Sequence, residues 1–238
     1  MKIALIGYGK MGQAIEAIAL ERGHEIVLKI DIGNRESFTR EYLQEADVAI
    51  EFTNPHSAVE NILRCIEYEI PVVCGSTGWL AELPEIETAL YKYDGSFLYA
   101  SNFSLGVNIF FEVNKLLARL MAGKKEYDVQ MVEVHHTQKK DAPSGTAITL
   151  AEQILAVDFN KKRWVNLPTV NKDELYIKSQ RIDPAPGTHT VNWTSAIDDI
   201  EIKHTAHSRT GFALGAVLAA EFLAGKKGIF TMKDVLGL

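Results

Sequence analysis

KIALIGYGKMGQAIEAIALERGHEIVLKID, residues 2–31, decides the fold. An apolar run from Ile3 to Ile6 meets glycine at Gly7. Apolar residues then recur at helical spacing through MGQAIEAIALERGH as far as Gly23, and EIVLKID forms a second strand ending in Asp31. The order is strand, turn, helix, strand. Gly7, Gly9 and Gly12 stand in a GxGxxG pattern between the strand and the helix, and Asp31 follows about 20 residues on. Each part has a mechanical job: glycines allow the tight turn and the close approach of backbone amides to a pyrophosphate, the helix N-terminus supplies positive potential, and an acid binds ribose hydroxyls. Glycines alone also serve any tight turn. It is the register of strand, helix and Asp31 that points to a nicotinamide dinucleotide, with Gly7, Tyr8, Gly9, Lys10, Met11 and Gly12 as the turn that holds it. A carboxylate at position 31 repels a ribose 2′-phosphate, while Arg35, four residues on, can neutralise one, which leaves NADH and NADPH both open.

Further along, DVAIEFT reads as a third strand ending near Thr53, IPVVCGSTG as a fourth running into a glycine turn, and SFLYASNFS as a fifth. Helical patterns lie between several of them, as in PHSAVENILRCIEY with Ala58, Ile62, Leu63 and Ile66 at three- and four-residue steps. That rhythm predicts a parallel sheet wrapped by helices. It breaks after about Leu105. A long helix, GVNIFFEVNKLLARLMAG, leads into the strand YDVQMVEVHH, and HTVNWTSAIDDIEIKHTA alternates as antiparallel strands do. The small-residue helix GFALGAVLAAEFLAG then packs back on the first domain. The expected fold is α/β: a Rossmann-type domain from residues 1–104 and 212–238, and an α+β domain with a mixed sheet over residues 105–211, for substrate binding and oligomerisation. The basic cluster KKRW at Lys161–Trp164 reads as solvated surface.

The 238 residues are 47% hydrophobic with a formal charge of −6, which suits a soluble globular chain and gives no basic footprint for nucleic acid. Cys65 and Cys74 are too few for a disulfide framework and are not spaced as a zinc site, so a reducing, cytoplasmic setting is expected. MKIALIGYGKMG offers neither a signal peptide nor a membrane span.

The chemistry gathers at EVHHTQKKDAPSGTA, residues 133–147. If YDVQMVEVHH is a strand, Tyr127, Val129, Met131, Glu133 and His135 share one face, and Val132, Val134 and His136 the other. The neighbouring histidines then diverge, which argues against a shared metal and for separate roles as acid and as binding or packing group. Pro143 suits the first turn of a helix over SGTAITLAEQIL, and Gly145 offers amides unobstructed by a side chain. Such a helix end takes a carboxylate or phosphate, and Lys139 and Lys140 add positive charge, so the expected substrate is a small anion.

EVHHTQKKDAPSGTA closely resembles the signature of the dihydrodipicolinate reductase family. GYGKMG resembles that family's cofactor turn, IEFTNPHSAVEN and VVCGSTGW its later strand ends, YASNFSLGVN its domain junction and HSRTGFALGA its return to the first domain. The resemblance implies hydride transfer from NADH or NADPH to a cyclic dicarboxylate, 4-hydroxy-tetrahydrodipicolinate, in lysine and diaminopimelate biosynthesis, by a homotetramer built through the second domain's sheet. By the same resemblance His135 is the acid and Lys139 the catalytic or carboxylate-binding lysine. His136 is a substrate contact, and Gly145 and Thr146 grip a carboxylate with Ser144 beside them. It places Gly75, Thr77, Gly78, Ser101, Asn102 and Phe103 along the cofactor, although Phe103 equally suits the core. Two departures stand out. The glycine turn is one residue shorter than the family's commoner spacing, and RIDPAPGTH keeps Arg181, Gly187 and His189 but puts Asp183 and two prolines where a glycine-containing loop is usual.

Two other classes compete. A semialdehyde dehydrogenase needs an activated thiol, for which Cys74 is the candidate, at the end of the buried-looking run PVVC. A dinucleotide-sensing regulator would have no use for the histidine and lysine cluster.

Overall fold

In a computed structural model, which describes residues 1–157 and 160–238, the chain forms two units: Met1–Leu105 with Arg209–Leu238, and Gly106–Ser208. In chain order the elements are β1 (Lys2–Ile6), α1 (Lys10–Glu21), β2 (Glu25–Ile30), α2 (Arg40–Leu43), β3 (Val48–Glu51), α3 (Pro55–Glu67), β4 (Val72–Cys74), α4 (Leu83–Tyr93) and β5 (Ser96–Tyr99). They continue as α5 (Leu105–Met121), β6 (Asp128–His135), α6 (Gly145–Leu155), β7 (Arg163–Val165), β8 (Glu174–Arg181), β9 (Gly187–Thr194), β10 (Asp199–Ala206), α7 (Thr210–Leu223), β11 (Gly228–Phe230) and α8 (Met232–Leu236).

The first unit holds a parallel sheet of order β2-β1-β3-β4-β5-β11. Apart from Lys2 at the start of β1, strands β1 and β3 are buried along their length, which is why Ile3–Ile6 and Val48–Ile50 read as continuous apolar runs. The chain leaves β1 for β2 on one side and returns to β3 on the other, so the order reverses between β1 and β3. Asn54 caps α3, its Oδ1 accepting from His56 N at 3.0 Å, and the stripe Ala58, Ile62, Cys65 and Ile66 packs on the sheet. On the other face α7 contributes Ala213, Ala216, Val217 and Ala220. Its small residues have a cause: a Cβ on Gly215 would stand 1.7 Å from the Phe103 carbonyl oxygen, so helix and loop meet backbone to backbone.

The second unit holds a mixed sheet of order β10-β9-β6-β8-β7, with β9 antiparallel to both neighbours and β6, β8 and β7 parallel. Phe110, Ala118 and Met121 of α5, and Ala147, Leu150, Ala151 and Ile154 of α6, cover one sheet face around Met131, Ile177, Val191 and Trp193. Buried Asn114 ties the helices together by donating to Leu150 O at 3.1 Å and Gln153 Oε1 at 2.9 Å.

Here the structure corrects one expectation. KKRW is not plain solvated surface: Arg163 and Trp164 belong to β7, and Lys161 is buried, its Nζ 2.6 Å from Asp128 Oδ1 and donating to Glu174 O at 2.9 Å. Only the outward Lys162 and Arg163 keep the exposure a charge run suggests. Among the described residues no helix is long and apolar enough to cross a membrane.

Candidate active site

In the first unit a cleft of about 230 Å³ opens at the carboxyl ends of β1, β2 and β3, where the strand order reverses. Open α/β sheets bind their ligands at such reversals. It is lined by Gly7, Gly9, Asp31, Arg35, Thr53 and Asn61, among others. The three glycines do different things. Gly7 has φ +92° and a Cβ there would lie 2.1 Å from Phe52 O, while a Cβ on Gly12 would lie 2.3 Å from Gly7 O, so both are required by the turn itself. At Gly9 a Cβ would meet nothing within 4 Å, and Gly9 is the N-cap of α1 without a side-chain cap. That open space faces the amides of a helix start, the arrangement a pyrophosphate needs. Tyr8 is braced by Glu16, which also binds Lys29 at 2.5 Å.

Asp31 caps the 3-10 turn Ile32–Ser37, its Oδ1 accepting from Ile32 N at 2.9 Å and its own N–H donating to Asn34 Oδ1 at 2.7 Å. Arg35 lies 3.3 Å from Glu60, so its charge is already shared. Thr77, Gly78 and Ser101 are exposed, Gly75 and Asn102 half-buried. Phe103 is the exception: at 2% exposure, with its ring 5.5 Å from that of Phe52, its side chain belongs to the core and not to a ligand surface. Cys74 is also core. Burial and the neighbouring Glu51 push its thiol far up, and Sγ donates to Glu51 at 3.1 Å, which removes it as a nucleophile.

In the second unit the histidine strand is β6, and its alternation is as expected: Val129, Met131, Glu133 and His135 point into the buried face. What the sequence did not single out is Glu133. Sheet register sets His189 of β9 directly across from it, and Arg181 of β8 across from His135. Glu133 is fully buried; its Oε1 accepts from Arg181 at 3.2 Å and its Oε2 from Ser144 N at 3.1 Å. His135 Nδ1 lies 3.1 Å from the same Oε2. Burial pushes the Glu133 carboxyl up, but His135, Ser144 and Ser179 together outweigh it and hold it well below the usual carboxylate range. Glu133, His135 and His189 bring ligand atoms within 4.8 Å of one another, a spacing that suits an ion. The carboxylate, however, is already taken by a guanidinium and an amide, so the trio reads as a hydrogen-bonded hub.

Ser144 is a largely internal residue. It is the N-cap of α6 and only 3% exposed, its hydroxyl accepting from Ala147 N at 3.2 Å and meeting His189 Nε2 at 3.1 Å. Its hydroxyl is thus engaged inside the protein, beneath the exposed helix end at Gly145. Pro143 correspondingly precedes the cap instead of occupying the first turn. Gly145, by contrast, is exposed with nothing within 4 Å of a Cβ, and Thr146 follows it in the first turn. Lys139 Nζ lies 2.8 Å from Asp141 Oδ1, and His136 is half-buried beside the loop. Across from His135, a Cβ on Gly187 would stand 3.1 Å from Nε2, so the glycine leaves that nitrogen uncovered.

Burial, reinforced by His135, pushes His189 down to about 3, so it is neutral in the fold. The unfolded chain takes up this proton below about pH 6.5 and the folded chain does not, so acidification from there to about pH 3 costs stability, at most about 1.4 kcal/mol per pH unit. His189→Asn should flatten that limb in urea titrations at several pH values. An unchanged slope would mean His189 is not held neutral.

A switch-point cleft shaped for a dinucleotide in one unit, and a histidine, lysine and helix-end cluster in the other, define a dinucleotide-dependent oxidoreductase. The chain belongs to the dihydrodipicolinate reductase family: residues 1–103 match the family's N-terminal part and residues 106–236 its C-terminal part. It is 53% identical to a 4-hydroxy-tetrahydrodipicolinate reductase of Christiangramia forsetii over 99% of this chain and 98% of the relative, and 34% identical to one of Methanoregula boonei over 100% and 98%. The fold is similar to that of a dipicolinate-bound dihydrodipicolinate reductase from Paenisporosarcina sp. TG-14, with TM-score 0.77, 24% identity and 98% of each chain covered.

Proposed function

We propose that this chain reduces 4-hydroxy-tetrahydrodipicolinate to tetrahydrodipicolinate with NADH or NADPH, in lysine and diaminopimelate biosynthesis, as a cytoplasmic enzyme. The observation that carries this reading is full-length membership of the reductase family, together with a cluster whose side chains suit the reaction. The cofactor supplies the hydride. The amides of Gly7 through Gly12 hold its pyrophosphate, Asp31 and Arg35 its ribose end, and Gly75, Thr77, Gly78, Ser101 and Asn102 line the path toward the nicotinamide. His135 carries the proton for the carbon next to the one reduced. Lys139 and His136 hold one carboxylate, and the amides of Gly145 and Thr146 the other.

Turnover with freshly made dihydrodipicolinate synthase product, with NADH and NADPH in separate assays, tests the reading. Loss of absorbance with neither cofactor would sink it. Asp31→Ala should weaken NADH more than NADPH, by about 1–2 kcal/mol for a lost charge-assisted hydrogen bond. Equal effects on the two KM values would remove Asp31 from the ribose site.

The helices of the second unit cover only one sheet face. The opposite one, carrying Val132, Val134, Tyr176 and Thr190, is the surface we assign to a homotetramer, to be checked by light scattering.

A further inference from the structure

The loop from His136 to Ala142, between β6 and α6, carries Lys139 but has little structure of its own. Among the described residues its backbone makes one bond to itself, Lys139 N to His136 O at 3.1 Å. Its anchors outside the loop come from Arg181, the last residue of β8, and Asp183 just beyond it, with Ile182 between them bound to the end of β6. Arg181 donates from Nε to Lys139 O at 3.3 Å and from Nη2 to Asp141 O at 2.6 Å, while the same Nη2 reaches Glu133 and Nη1 binds Gln180 O at 2.8 Å. Ile182 N donates to His135 O at 2.8 Å. Asp183 accepts from Thr137 N at 3.1 Å and from Thr137 Oγ1 at 2.5 Å. Asp183 is also where this chain departs from the glycine-containing loop common in its family.

We propose that Arg181 and Asp183 are positioning residues that splint the loop, fixing Lys139 and His136 relative to His135. The proposal rests on the roles given above to His135 and Lys139. Arg181 suits the task because a planar fork of donors can serve two loop carbonyls and a carboxylate at once, which an ammonium on a flexible stem cannot. Asp183 adds a second point of attachment on the other side of Ile182, so the loop is held at Thr137 as well as at Lys139 and Asp141. A loop held at one end only would leave Lys139 to sample several positions, and misplacement by about 1 Å costs on the order of 10² in rate.

Two variants separate the elements of the splint. Arg181→Lys keeps the charge beside Glu133 and loses the fork. Asp183→Ala removes an exposed side chain from a turn, so it leaves the core untouched. In both, hydrogen exchange across residues 136–142 should quicken. kcat/KM for the dicarboxylate should fall about tenfold in Asp183→Ala and about a hundredfold in Arg181→Lys. KM for NADH should not move, since the glycine turn lies in the other unit, and Asp183→Asn should recover most of the loss by accepting from Thr137. Unchanged exchange, or faster exchange with unchanged kinetics, in Asp183→Ala overturns the proposal. If His135→Gln and Lys139→Ala also leave turnover intact, the reading of the site itself has failed; if those two are crippled and the splint variants are not, only the splint falls.

Discussion

His135→Gln is expected to lower kcat by about 10²- to 10⁴-fold, the usual worth of a positioned general acid, with little change in KM. Hydride addition to a conjugated imine pushes electrons onto the neighbouring carbon, which must gain a proton. His135 is the residue proposed above to give it: it is 7% exposed, Nδ1 looks toward Glu133, and Gly187 leaves Nε2 uncovered. Glutamine fills similar space and still hydrogen-bonds but cannot deliver a proton near neutral pH. His136→Ala, which removes a side chain assigned above to a carboxylate, should do the reverse and raise KM chiefly, because a carboxylate grip contributes equally to ground and transition states. Near-normal kcat across the pH range in His135→Gln, with dicarboxylate binding lost, would make His135 a binding residue and leave the proton to another group.

Glu133→Ala should destabilise the second unit by about 3–5 kcal/mol, the cost of breaking a buried ion pair from one side. The alanine leaves Arg181 without its carboxylate and Ser144 N without an acceptor, and opens a cavity beneath two imidazoles. Against a typical total stability of about 5–15 kcal/mol that is a large fraction. Glu133→Gln keeps one acceptor oxygen and the side-chain volume but replaces the other oxygen with an NH2 donor, and should lose less than the alanine. Urea unfolding of the two variants is the measurement; a loss under about 1 kcal/mol in Glu133→Ala would mean that the carboxylate does not organise the site.

The first unit was legible because its signals are local. The run Ile3–Ile6, the three glycines and the α3 stripe each carry their meaning within a few residues. α4 and β11 went unread for different reasons: β11 is a three-residue strand, too short for any periodicity, and α4 buries only Ile86 and Leu90, a thin stripe among polar residues. In the second unit β8, ELYIKSQR, mixes charge and apolar residues, and its place beside β6 depends on a crossover through α6. The same long-range pairing hid half the site. EVHHTQKKDAPSGTA gave His135, Lys139 and the helix end, yet the partners of Glu133 lie 48 residues away for Arg181 and 45 from Ser144 to His189. Only sheet register brings them together. Lys161 failed similarly: four consecutive residues look like surface until Asp128 closes over one of them.

The return of the chain through α7 also fixes an order of events on the ribosome. The parallel sheet emerges first, but the helix whose alanines cover one face of it is made only after about a hundred residues of the inserted unit. At ordinary elongation rates of about 5–20 residues per second, that face stays uncovered for roughly 5–20 s. The inserted unit is complete before the unit that began the chain. A nascent polypeptide that has released Ser208 from the ribosome but not yet Leu223 would therefore present a finished mixed sheet and a parallel one still lacking α7 and β11.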